Sequence, residues 1–207
     1  MPRAKPSSEP VFFDVCYQQL NILGCFHSIA ESFMPLSTIK PSHFISNILT
    51  PYSSIGAICE SSRWLAREMR GAITCEVTGP IVELGAGYGS VTAILPDSTI
   101  SIERDPERFE YLRRHFPQRQ IYDMCAIEFL NCLNSPSVVI SGIPSVNNPE
   151  FGNLSAAVKQ AQGSGNIIQL ITYTYFPHNP FAKIFSNSKM VKLEFRNIPP
   201  AFVWRYH

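Results

Sequence analysis

The chain has 207 residues and a formal net charge of +1, from 17 basic and 16 acidic side chains. Charged residues make up 16% of it, against ~25% in an ordinary globular protein. This balance excludes a global electrostatic pull toward nucleic acid. It also leaves enough apolar material for one ordinary domain with a large core. The six cysteines (Cys16, Cys25, Cys59, Cys75, Cys125 and Cys132) form no Cys-x-x-Cys pair and no cluster with histidine, so no metal site is expected. No run approaches the ~18 apolar residues of a membrane span. Asp14 and the Gln18-Gln19 pair break any secretory leader, so the cysteines read as reduced thiols of a cytoplasmic protein.

Residues 1–10 are proline, serine and charge, and read as a disordered N-terminus. Between residues 11 and 50, Leu20, Leu23, Phe26 or His27, Ala30 and Phe33 recur at helical spacing. Ser42 is placed to cap a second amphipathic helix with Phe44, Ile45, Ile48 and Leu49. Such helices can pack on a core, form a lid or lie on a membrane surface. Arg3, Lys5 and Lys40 are balanced by Glu9, Asp14 and Glu31, which weighs against an electrostatic anchor. A catalytic domain is expected over 51–207. Its first helix is capped by Ser61, carries Trp64, Leu65, Glu68 and Met69, and stops at Gly71.

The stretch from Pro80 to Asp105 organises the domain. Ile81, Val82 and Leu84 form the short apolar run of a buried parallel strand. Glu83 lies inside that strand. Gly85, Gly87 and Gly89 follow, with Ala86 between the first two, in the spacing Glu-x-Gly-x-Gly-x-Gly. Glycines here take positive φ and bring backbone close to a ligand. A short helix is expected over Ser90–Leu95, ended by Pro96, and a second strand from Thr99 ending on Glu103. An acidic residue at that point, about 20 residues past the glycines, is where nucleoside-binding sheets hold ribose hydroxyls. Arg104 stands beside it.

Asp105 and Pro106 open a helix that runs to His115. A third strand over Gln120–Asp123 leads to Cys125 and Ala126, and a fourth covers Ser137–Ser141. The loop from Ser141 to Pro149 then lies beyond the carboxyl end of a central strand, where open α/β sheets bind ligands. A helix from Phe151 to about Ala161, the break at Gly163-Ser-Gly165 and a long apolar strand from Asn166 follow. The strand ends in a loop carrying Tyr173, Tyr175 and His178. Met190–Phe195 and Phe202–Tyr206 read as a closing hairpin around Pro199-Pro200.

The glycine spacing with Glu83 and Glu103 resembles the class I S-adenosylmethionine-dependent methyltransferases more than dinucleotide-binding folds, since the third dinucleotide glycine is lacking at that spacing and Val91 and Thr92 follow Ser90. A narrower resemblance, to bacterial phospholipid N-methyltransferases, covers about Pro51 to the last residue. It rests on the string Ile55-Gly-Ala-Ile with Ser61-Ser62-Arg63, the SAM motif, Ser141-Gly-Ile-Pro144, the Gln169-to-Pro180 segment, and Arg196-Asn-Ile-Pro-Pro-Ala-Phe-Val-Trp-Arg205. Glu60 departs from the family's usual proline before the serine pair.

The resemblance implies a three-layer, Rossmann-like α/β sandwich with seven strands, the last antiparallel, plus the N-terminal helices. It implies S-adenosylmethionine as cofactor, held by Glu83, Gly85, Ala86, Gly87, Gly89, Glu103, Arg104, Cys125, Ala126 and Ser141. The family's adenine-contacting aspartate falls on Cys125, a poor acceptor for an amine; Asp123 is the alternative. Tyr175 and Ser141 are the implied catalytic residues, and Ser61, Ser62, Tyr173, Tyr175 and His178 the implied substrate contacts. Forward counting favours Tyr173 and backward counting Tyr175, which is preferred.

The implied reaction is methylation of the amine of phosphatidylethanolamine toward phosphatidylcholine, by an enzyme bound peripherally to the inner face of the membrane. Nucleic acid is not an expected partner: Gly142 and Ser145 stand where adenine N6-methyltransferases carry an amine-holding polar group and a stacking aromatic. The rivals are a methyltransferase for a soluble small molecule or a protein, and a catalytically degenerate SAM- or lipid-binding protein.

Overall fold

A computed structural model describes residues 62–74 and 79–207. The two helices expected within 11–50, the 1–10 segment and Ser61 lie outside the described residues. The described part is a seven-stranded sheet in the order β3-β2-β1-β4-β5-β7-β6. The strands are β1 (Ile81–Leu84), β2 (Ile100–Glu103), β3 (Gln120–Asp123), β4 (Ser137–Ser141), β5 (Ile167–Thr174), β6 (Ser188–Glu194) and β7 (Ala201–Tyr206). Pairing is parallel from β3 through β5, and β7 runs antiparallel to both its neighbours. The fold is thus the expected three-layer α/β sandwich.

Every residue of β1 and of β4 is buried, as the apolar runs of central parallel strands require. One face of the sheet, through Val82, Leu84, Ile102, Val139 and Leu170, packs on α3 (Ala126–Cys132) and α4 (Phe151–Gly163). The other, through Ile81, Val138, Ile140, Ile171 and Val203, packs on Leu65, Ala66 and Met69 of α1 (Arg63–Gly71) and on Val91 and Leu95. α2 (Pro106–His115) starts at Asp105, whose carboxylate accepts from Arg108 N at 3.0 Å, with proline in its first turn.

Strand ends shift by one or two residues from the sequence reading, with the edge strand at Ser188–Glu194 instead of Met190–Phe195, and three helix boundaries differ. The cap of α1 is Ser62 rather than Ser61, its Oγ accepting from Leu65 N at 3.2 Å. The helix expected at Ser90–Leu95 is a single 3-10 turn, Thr92–Ile94. Pro96 forces Leu95 out of helical geometry, to φ −78° and ψ 159°, and so cuts the helix short. Helix α4 continues to Gly163, two residues past Ala161, and the chain turns only at Gly165, whose φ is +75°.

Candidate active site

The strand order reverses between β1 and β4, and the loops that leave these strands meet at their carboxyl ends. Gly142 N donates to Leu84 O at 2.9 Å. A Cβ on Gly142 would sit 2.8 Å from the Gly85 carbonyl oxygen, and one on Gly85 would sit 2.7 Å from Ile143 Cγ1. Small residues are therefore required on both sides of this seam. Gly85, Gly87 and Gly89 all have positive φ, at 71°, 59° and 85°. Gly87 differs from the other two: a Cβ there would meet nothing within 4 Å, so its backbone borders open space.

Two carboxylates hold this turn. Glu103 accepts from Gly87 N at 2.8 Å and from Asp105 N at 2.9 Å, tying the end of β2 to the middle glycine. Glu83 is 2% exposed and accepts from Thr92 Oγ1 at 2.7 Å and Ser101 Oγ at 2.6 Å. Burial raises its pKa to about 7, against the pull of those hydroxyls. Sequence reading identified both acids but not the hydroxyls: isolated serines and threonines carry no pattern until the sheet brings them together.

Of the cofactor candidates, the glycines, Ala86, Glu83, Glu103 and Ser141 converge on the carboxyl ends of β1, β2 and β4. Ser141 is buried; its Oγ accepts from Ile143 N at 3.3 Å, and its carbonyl accepts from Thr172 Oγ1 at 3.1 Å. Arg104 does not close on the glycine turn. Its guanidinium pairs with Glu150, at the start of α4, and reaches the Cys125 thiol; Glu150 is the main cause of its raised pKa. Cys125 is the N-cap of α3 and forms no capping bond, with buried Ala126 opening the helix. Asp123 is exposed at the end of β3, opposite Glu103 in the ladder.

The substrate candidates fall into separate places. Tyr173 and Tyr175 stack edge to face at 5.5 Å and pack with the α1 side of the core, where the Tyr175 hydroxyl is buried. Ser62 lies at the start of α1, its backbone N–H donating to Asn197 Oδ1 at 3.0 Å across 135 positions of sequence. His178 is exposed, and its backbone N–H donates to Phe176 O at 2.7 Å. Asn197, 1% exposed, also donates to Pro199 O at 2.7 Å and so joins α1 to the β6–β7 turn. Sequence reading missed it, because its partners are far away in the chain. Among the described residues no group of histidine, cysteine or carboxylate side chains could hold a metal.

The residues at the seam fit S-adenosylmethionine. Open space beside Gly87 admits a ligand against backbone, and Glu103 supplies acceptor oxygens at the tip of β2. The fold is the Rossmann-like sandwich of the class I methyltransferases. Within that class the sequence is similar to a lipid N-methyltransferase: it is 28% identical over 174 residues to the ornithine lipid N-methyltransferase of Singulisphaera acidiphila, covering 76% of this chain and 91% of that one. No family model matches the chain.

Among solved structures, a TehB-like SAM-dependent methyltransferase from Corynebacterium glutamicum superposes with a TM-score of 0.50 and 13% identity, over 81% of this chain and 98% of the other. The precorrin-6y C5,15-methyltransferase of Geobacter metallireducens superposes with a TM-score of 0.48 and 11% identity, over 69% of this chain and 86% of its own.

Proposed function

We propose that the protein methylates the amine of a membrane lipid with S-adenosylmethionine as donor. The observation that carries this reading is the likeness to the Singulisphaera enzyme, which extends over 76% of this chain and 91% of that one rather than over one motif. Two substrates follow from it. The Ser141-Gly-Ile-Pro144 and Arg196-to-Arg205 strings favour phosphatidylethanolamine; the relative's name favours an ornithine lipid. Both present an amine on a lipid headgroup.

Bound S-adenosylmethionine supplies a methyl group already activated by its sulfonium charge. The protein's part is therefore mostly placement. Gly85, Ala86, Gly87 and Gly89 form a backbone cradle, and Glu103 accepts hydrogen bonds from ribose hydroxyls while keeping Gly87 in position. Glu83 stiffens the cradle from beneath through Thr92 and Ser101. The acceptor amine enters over the β4 and β5 loops, between Ser141 and Tyr175. A lysine-like amine has a pKa near ~10 and must shed a proton before it attacks. Water and the lipid's own phosphate, where it carries one, are the open acceptors; Tyr175 could serve only if its hydroxyl, buried on the α1 side of the core, were uncovered. In this reading residues 1–50 are a lid or surface segment preceding the methyltransferase domain of 51–207.

The test is incubation of the full chain with labelled S-adenosylmethionine and vesicles containing phosphatidylethanolamine or ornithine lipid, followed by thin-layer separation. Label in a lipid band supports the reading and identifies the headgroup. Label only in soluble amines or protein, indifferent to vesicles, replaces it with the small-molecule or protein reading. No label with S-adenosylhomocysteine still bound favours a binding protein.

A further inference from the structure

Among the described residues, five large apolar side chains are exposed: Val146, Phe176, Met190, Phe195 and Ile198. Scattered exposed apolar residues are ordinary. Here four of the five lie at one edge. Val146 is in the loop after β4 and Phe176 in the loop after β5, both at carboxyl ends. Phe195 and Ile198 are in the β6–β7 turn. Because β7 is antiparallel, with Thr174 opposite Phe202 and Glu194 opposite Ala201, that turn projects from the same edge. It is also the edge that carries the glycine turn and Glu103. Phe195 is 71% exposed and Ile198 64%, the two largest exposures in the set.

Cations surround this edge at its α1 side. The guanidinium carbons of Arg63, Arg67 and Arg196 lie 4.5, 5.2 and 4.4 Å from the ring centroid of Trp64. Arg196 is held by a two-pronged bond to Glu194, at 2.8 and 2.6 Å, which fixes it beside Phe195. The grouping extends to the charge distribution as a whole. Residues 63–71 and 188–206 hold seven of the chain's 17 basic side chains and two of its 16 acidic ones. This part of the molecule thus carries +5 in a chain whose total is +1. Lysines on an edge strand discourage strand pairing, which accounts for Lys189 and Lys192 on β6. It does not account for arginines lining α1 beside an apolar turn.

We propose that the carboxyl edge of the sheet docks on an anionic lipid bilayer. Phe195 and Ile198 enter the interfacial region, and Arg63 and Arg67 meet lipid phosphates beside Trp64, while Arg196 stays paired with Glu194 and holds the Trp64 ring from the other side. Guanidinium suits such phosphates because it binds them in two-pronged fashion and gives up water readily. An aromatic with polar neighbours suits the boundary between water and acyl chains. Docked this way, the β4 and β5 loops face the headgroups, so lipid amines reach the methyl-transfer site without leaving the membrane. The proposal rests on the lipid reading given above and adds the surface that would serve it.

The experiment is flotation of the full chain with vesicles of phosphatidylcholine alone or with one-third phosphatidylglycerol, at low and high salt. The parent should float preferentially with the anionic vesicles. Changing Phe195→Ser and Ile198→Ser together should lower partition about tenfold on both compositions. Arg63→Gln with Arg67→Gln should lower it by about fivefold per residue on anionic vesicles alone, and should flatten the salt response. Arg196 is left intact, because its loss would strand the Glu194 carboxylate. All four positions are exposed, so S-adenosylhomocysteine affinity measured by calorimetry should not change and reports that the fold is intact.

Variants that float like the parent would overturn the proposal. So would a parent that ignores vesicles but retains RNA on a filter. Flotation needs no turnover, so the two readings separate. Variant-sensitive flotation without lipid methylation leaves the docking surface standing and removes the substrate reading; lipid methylation with variant-insensitive flotation does the reverse.

Discussion

Between β1 and β3, the polar contacts that shape the site are short in sequence. Gly87 reaches Glu103 across 16 positions, and Thr92 and Ser101 reach Glu83 across 9 and 18. On the β5–β7 side they cross the chain: Trp204 Nε1 donates to Thr174 Oγ1 across 30 positions, and Ser62 N to Asn197 across 135. The cofactor half is thus one continuous strand-turn-strand unit with its chemistry built in. The half proposed to take the acceptor is assembled only when α1, β5 and the β6–β7 hairpin pack together. A cradle for a fixed cofactor can be written locally, whereas the proposed docking and acceptor surface draws on distant parts of the chain.

The seam between the halves offers the most severe test. Gly85→Ala combines a left-handed φ with a Cβ 2.7 Å from Ile143 Cγ1. It should cost about 2–5 kcal/mol, the sum of a conformational cost and an overpacking cost. Urea unfolding measures this. Gly87→Ala shares the positive φ but meets no atom within 4 Å. It should cost only about 1–2 kcal/mol of stability, the conformational part alone, while sharply weakening S-adenosylhomocysteine binding. Equal stability losses for the two would remove the distinction between a structural glycine and one that borders the ligand.

Glu83 gives the cofactor half a pH signature opposite in sign to that of the other half. Its folded pKa, about 7, stands above its unfolded value of 4.5. Below pH 4.5 both states hold the proton, and its stabilising contribution is fully present. Between 4.5 and 7 the folded protein holds a proton that the unfolded chain releases, so stability falls as pH rises, and the contribution is gone above about 7. The swing is about 3 kcal/mol. Glu83→Gln should flatten unfolding free energy over that window; an unchanged slope would place the titration elsewhere.

Glu194, on the acceptor half, has the opposite sign: Arg196 lowers its pKa from 4.5 to about 2. Its contribution is present above pH 4.5 and lost as pH falls through about 2.

Asn197 tests the long-range half directly. Asn197→Ala strands Ser62 N–H and the Pro199 carbonyl, and should cost about 2–4 kcal/mol of stability, with S-adenosylhomocysteine affinity unchanged if the halves are independent. Glu103→Ala is its counterpart. Losing charge-assisted bonds worth roughly 1.5–3 kcal/mol should weaken the cofactor about ten- to a hundredfold, read by calorimetry. A large effect of Asn197→Ala on that same titration would show that the halves are coupled.

This contrast also explains what the sequence disclosed. β3 and β4, the cap and full extent of α2, and the glycine-Glu103 pair were legible, because strand periodicity, Asp-Pro caps and glycine spacing are all local signals. The antiparallel last strand came from the family resemblance. The role of Asn197, the Trp64–Arg196 contact and the hydroxyl partners of Glu83 were not legible, since each depends on a neighbour supplied by folding. The shortened helix after the glycines was a matter of competing local rules: apolar spacing argued for helix, and Pro96 prevailed over it.

The smallest expected effect concerns Cys125, where the resemblance and the structure meet. The residue stands at the N-cap of α3 with φ −70° and ψ 133°, the extended geometry a cap needs, but it makes no capping bond. Cys125→Asp places a carboxylate there, which should add about 1 kcal/mol through the cap bond and the helix dipole. A carboxylate has two oxygens, so capping with one leaves the other for the adenine amine of the cofactor. The substitution should therefore raise both the urea midpoint and S-adenosylhomocysteine affinity. Asp123→Ala, at an exposed strand end, should change stability by less than about 0.5 kcal/mol and leave affinity alone. If Asp123→Ala weakens binding while Cys125→Asp raises only stability, then Asp123 is the adenine acceptor and Cys125 a plain helix cap.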